Sequence, residues 1–198
     1  SIQSVIRGNT MTYLKRTLAT FAAAFPMWAM AHPGHEQQNS FLTGFIHPFT
    51  GIDHLTMAIA FGVLLWSAAN RWKVGGLLGL VIAMIAGFSL GQLHMVSANI
   101  AEYGIVFSLS VLAIALWTKA NRLFAVATMV LASFHGMAHG AELSHSGHVI
   151  GLVFGMVVAM SCIYAGGLGL GALVQKYVPH GKKIVGGIAA VVALIGLA

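Results

Sequence analysis

The chain has 198 residues, 58% of them hydrophobic and only 7% charged, with a mean hydropathy of +0.87; soluble domains carry roughly 25% charged residues, so it reads as an all-α, polytopic membrane protein. The net charge of +6 comes from Lys and Arg in small groups between apolar runs, which form no basic face for nucleic acid. Cys162, the single cysteine, sits in an apolar run, which excludes a disulfide framework and a thiolate metal cage.

Residues 11–16, MTYLKR, are a basic start, residues 18–28 a short apolar stretch, and Ala29-Met30-Ala31 an A-x-A cleavage site. This predicts a cleavable secretory signal with Met11 as initiator and His32 as the first mature residue. Residues 1–31 are then upstream residues plus signal peptide, and residues 32–198 a single membrane domain. An uncleaved anchor is the alternative; Pro26 and the short apolar stretch count against it.

Six apolar segments follow, at residues 49–69, 74–93, 103–117, 123–139, 149–174 and 184–198. Each is near the length that crosses a hydrocarbon core of about 30 Å, although the last is short. With the mature N-terminus outside, the inner loops hold Arg71 and Lys73, then Lys119 and Arg122, then Lys176, Lys182 and Lys183, as the positive-inside rule requires. Trp66, Trp72 and Trp117 mark the inner interface, whereas Glu36, Asp53, Glu102 and Glu142 fall on the outer side. Glycines four apart (Gly75 and Gly79, Gly87 and Gly91, Gly151 and Gly155, Gly167 and Gly171) predict close helix contact, and the density of glycine in residues 166–171 predicts a loosened helix.

Two polar clusters interrupt the apolar pattern. The first is residues 47–54, HPFTGIDH. Ionisable groups within spans are costly, roughly 2.5–3.5 kcal/mol each on insertion scales, and are read as functional by default. A plainer reading stands beside it: Thr50 and Asp53 form a capping-box pattern that would start a helix, with Pro48 accepted in its first turn. Asp53 and His54 point about 100° apart on a helix, so one would ligate while the other orients it or faces another helix. The second cluster is residues 134–142, FHGMAHGAE. Helical spacing puts His135, His139 and Glu142 on one face, which Gly136 and Gly140 would leave uncrowded. Two imidazoles at i and i+4 can grip Zn, Cu, Fe or Ni alike.

Weaker candidates surround these. Gln92 and His94 end the second span and would complete a site. His32, His35, His145 and His148 would collect metal at the outer surface, and Ser146 would cap the fifth helix. The ten methionines read as packing material.

With both clusters, the signal pattern and the six spans in hand, residues 32–198 resemble the HupE/UreJ family of small nickel permeases; H-P-x-x-G-x-D-H and F-H-G-x-A-H-G-x-E match without departure. The resemblance implies a secondary transporter that imports Ni²⁺, or Co²⁺, across the bacterial inner membrane to supply metalloenzyme or cobalamin assembly. It implies His47, Asp53, His54, His135, His139 and Glu142 as the metal site, no tightly bound cofactor, and the lipid bilayer as surroundings. A second copy or a cytoplasmic metallochaperone would be its protein partners. No G-x-x-x-x-G-K-[ST] motif occurs, so the force would come from the membrane potential, about 4.6 kcal/mol for a divalent ion per 100 mV. The rival expectation is a membrane-embedded zinc hydrolase using the same His, Asp and Glu residues with an open coordination position.

Overall fold

The computed structural model describes residues 40–118, 122–142 and 149–197. The signal and cleavage expectations, with His32, His35, His145, Ser146 and His148, lie outside the described residues. Those residues form helices α1 (Ser40–Thr50), α2 (Ile52–Leu65), α3 (Asn70–Gln92), α4 (Ala98–Trp117), α5 (Arg122–Leu131), α6 (Ser133–Glu142), α7 (Val149–Tyr177) and α8 (Gly181–Ile195), and no strand occurs among them.

By length and apolar composition α3, α4, α7 and the pair α5–α6 can each cross a membrane, and α1–α2 joins them if its 77° bend is one broken span. The α8 helix has 15 residues, about 22 Å at 1.5 Å per residue, and falls short of the roughly 30 Å core.

The first span departs from its expected form. It begins at Ser40, and Pro48 lies inside α1 rather than at a helix start. There the proline cannot donate to the carbonyl four residues back, which weakens the helix end, and the chain breaks at Gly51 in extended conformation (φ −87°, ψ 113°). The capping-box reading also fails. The start of α2 has no side-chain cap; Thr50 Oγ1 donates backward to His47 O at 2.8 Å. An aromatic row, Phe41, Phe45 and Phe49, with ring centroids 6.0 and 5.5 Å apart, lines α1 at helical spacing.

Glycine brings the backbones together. A Cβ at Gly87 or Gly91 would run into the carbonyls of Ser133 and Met137, and a Cβ at Gly136 or Gly140 into those of Met84 and Phe88. The contact between α3 and α6 is therefore reciprocal, glycine on each helix facing backbone on the other. Gly136 and Gly140 thus serve the packing of α6 on α3 rather than clearing the histidine face. Gly44 and Gly155 seat α1 on α7, and Gly62 and Gly167 seat α2 on it. Gly75 faces open space and makes no such contact. Residues 166–171 stay within unbroken α7, because Gly167 is held against Ile59.

Between these contacts lies a core of Met57, Phe61, Leu80, Leu109, Leu112, Met156, Met160 and Tyr164, all almost fully buried. Tyr164 donates to Lys73 O at 2.8 Å, tying α7 to the start of α3. Beyond it gather the basic residues, with Lys73 Nζ 4.4 Å from the centre of the Trp66 ring and Arg122 5.8 Å from that of Trp72.

Candidate metal centre

The break at Gly51 places the C-terminus of α1 and the N-terminus of α2 at one end of the bundle, opposite the basic end. The last turn of α1 supplies His47, the first turn of α2 supplies Asp53 and His54, and α6 supplies His135 and His139. The 77° bend turns His47 back toward α6, so that the two sequence clusters meet.

Imidazoles dominate the contact. His47 Nε2 lies 3.3 Å from His139 Nε2, and His139 Nε2 lies 2.5 Å from His54 Nε2. His54 Nδ1 is 3.0 Å from Asp53 Oδ1, and His139 Nδ1 is 3.6 Å from Glu142 Oε2, long for a hydrogen bond. Asp53 beside His54 Nδ1 holds the ring proton there and leaves His54 Nε2 as a lone pair, whereas His139 Nδ1 has no hydrogen-bond partner among the described residues. Two lone pairs 2.5 Å apart repel unless a proton or a cation lies between them.

Metal–nitrogen bonds of about 2.0–2.1 Å put two nitrogens on one ion roughly 2.9–3.4 Å apart. The His47–His139 separation falls in that range, whereas His54 and His139 must part by about half an ångström to share an ion. Among the described residues no three His, Cys, Asp or Glu side chains already stand in an ion-holding arrangement; a small ring movement separates this cluster from one.

Depth differs among the four rings. His47, His54 and His139 line a cleft of about 770 Å³ together with Asp53, His94, Glu102 and Glu142. His135 does not reach the cleft. It is 0% exposed, its ring centroid is 4.9 Å from that of His54, and neither of its nitrogens has a hydrogen-bond partner among the described residues. Buried polar atoms without partners cost about 1–3 kcal/mol, so His135 is an uncompensated donor and acceptor packed against His54, behind the cleft. Glu142, with a side chain 69% exposed, stands at the opposite, open end.

His94 takes its place through the end of α3. His94 N bonds to Gly91 O at 2.9 Å and Met95 N to Leu90 O at 3.4 Å, the paired bonds of a Schellman stop, with His94 left-handed at φ 52°. Glycine is the usual residue there, and a side chain costs roughly 1–2 kcal/mol. Gln92, expected beside His94, is absent from the cleft lining. Glu102 was placed by its sequence on the outer side but not in a site; its signal was a carboxylate in the first turns of an apolar helix.

The HupE / UreJ protein family model matches residues 19–198. Protein HupE of Rhizobium leguminosarum bv. viciae is 30% identical over 193 residues, covering 95% of this chain and 98% of that protein. No solved structure matches. With a family match over most of its length and a relative aligned almost end to end, the chain belongs to the HupE/UreJ family.

Proposed function

We propose that this multi-pass membrane protein is a permease that imports Ni²⁺, or Co²⁺, across the bacterial inner membrane to supply metalloenzyme or cobalamin assembly. The observation that carries the reading is the convergence of the His47, His54 and His139 Nε2 atoms at the floor of an open cleft, with the partnerless His135 buried behind them. Neutral nitrogen donors suit late first-row divalent ions, and nothing in this donor set separates nickel from cobalt.

A hydrated ion enters past His94 and the carboxylates of Glu102 and Glu142, whose negative charge favours a cation. At the floor it exchanges water for the three Nε2 atoms, while Asp53 holds His54 in its ligating tautomer. His135 is the next donor inward. Below it Phe61 and Tyr164 close the bundle, their rings 5.6 Å apart, so release toward the basic end requires the inner halves of α2 and α7 to separate. In this reading the N-terminus is outside, residues 1–31 are a signal segment with its upstream residues, and the basic end faces the cytoplasm. The membrane potential then drives the ion inward, and His32, His35, His145 and His148 capture it at the surface. A metallochaperone or a second copy would receive it inside.

Nothing in the site favours the zinc hydrolase. The hydroxyls of the cleft lining, on Thr50 and Ser97, are both bonded to backbone: Thr50 donates to His47 O and Ser97 accepts from Ile100 N.

Cells expressing the chain should accumulate more labelled nickel or cobalt than vector cells, and Asp53→Ala and His139→Ala should remove the excess. Equal accumulation of nickel, cobalt and zinc in expressing and vector cells would reject transport.

A further inference from the structure

At the end of the bundle opposite the histidines, α2, α3 and α5 border a half-open pocket of about 250 Å³ whose lining includes Leu64, Leu65, Ser67, Trp72 and the exposed Arg71 and Arg122. The guanidinium of Arg122 lies against the Trp72 ring. Among the described residues no carboxylate lines the pocket. The chain has no acid between Asp53 and Glu102 or between Glu102 and Glu142, and these three line the opposite cleft. Neither arginine forms an ion pair among the described residues. Two guanidinium groups thus share one pocket with no counter-charge among the described residues.

The lining suits an ester phosphate with an apolar body attached. Guanidinium forks match phosphate oxygens in bidentate geometry. Ser67 adds a hydroxyl, Trp72 is a residue type that sits at headgroup level, and Leu64 and Leu65 supply an apolar wall that a free anion would leave unfilled. The volume is below the roughly 300–1,000 Å³ of pockets that enclose a whole small molecule, as expected for a headgroup whose chains remain in the bilayer.

We propose that this pocket binds the headgroup of an anionic phospholipid, held jointly by Arg71 and Arg122. Arg71 lies in the first turn of α3, which follows α2 after a short link, and the first turn of α2 holds Asp53 and His54. Arg122 begins α5, which continues into α6 with His135 and His139. One lipid phosphate would therefore fasten the start of α3, which follows α2 in the chain, to the start of α5, which leads into α6, at the end of the bundle away from the histidine clusters. Lipid binding stands independently of metal transport; only its effect on transport rests on that reading.

The test is native mass spectrometry of the purified full chain with bound phosphatidylglycerol, paired with melting temperatures in vesicles of phosphatidylcholine with or without phosphatidylglycerol. Each arginine should contribute roughly fivefold to retention, so Arg71→Gln with Arg122→Gln should lose about 25-fold, against little change for a control that also removes two charges, Lys176→Gln with Lys183→Gln. Phosphatidylglycerol should raise the melting temperature of the wild type and not that of the double variant. Equal retention by the wild type and either single arginine variant would overturn the proposal, as would stabilisation by inorganic phosphate in phosphatidylcholine vesicles, which would make the occupant a free anion. Neither readout requires metal transport, so failure of transport leaves this result standing.

Discussion

Asp53 Oδ1 and His54 Nδ1 lie 3.0 Å apart on adjacent residues, and that contact turns His54 Nε2 toward His139. One carboxylate therefore sets the direction of the imidazole that joins the two sequence clusters. Replacing Asp53 with Asn keeps the shape but removes the charge that fixes the ring proton. Outer partners of metal-bound histidines typically contribute 10–100-fold in affinity, so Asp53→Asn should weaken Ni²⁺ binding by that order in calorimetric titration, with the melting temperature little changed.

His135 should separate binding from passage. His135→Phe fills the same buried space without nitrogen, and should leave Ni²⁺ affinity within a few-fold of wild type while abolishing uptake. His135→Cys, which restores a donor, should recover part of the uptake. Loss of affinity in His135→Phe as large as in His139→Ala would mean that all four imidazoles form one site.

His94 offers two readouts of opposite sign. His94→Gly relieves the left-handed residue and should stabilise the protein by about 1 kcal/mol, seen as a higher melting temperature. The same change removes a side chain from the cleft and should raise the KM for metal uptake without lowering the maximal rate.

The contact between α3 and α6 predicts a contrast among glycines. Gly140→Ala drives a methyl into the Phe88 carbonyl, whereas Gly75→Ala places one in open space. Overpacking typically costs about 1–3 kcal/mol, so Gly140→Ala should lower the melting temperature and disturb the imidazole spacing. Gly75→Ala should be neutral or slightly stabilising in the same thermal measurement.

Acidification should weaken metal binding, because protons and metal compete for the same nitrogen lone pairs. Affinity should therefore fall as the pH is lowered from 7.5 into the acid range, with protons released on binding there. An affinity that stays flat over that interval would place the metal on other donors.

Much of this site was legible because helical spacing is local information. His135, His139 and Glu142 share a face whatever the rest of the fold does, and the apolar run after Asp53 announced a helix. The junction with His47 was not legible, since it depends on a 77° bend, and Pro48 is compatible with both a helix start and a helix end. Glycines spaced four apart signalled close packing, yet spacing names no partner: Gly87 and Gly91 meet α6, while Gly75 meets nothing. His94 and Glu102 reach the cleft through the geometry of a helix stop and the turn after it, which hydrophobic periodicity does not encode.

The most direct measurement is flux into vesicles holding only this protein, with an inside-negative potential imposed and Ni²⁺ or Co²⁺ added outside. Transport through the histidine cluster predicts accumulation that grows with the potential and disappears in His139→Ala. Accumulation no greater than in protein-free vesicles, in a preparation that still binds the metal, would show that the site holds the ion without carrying it.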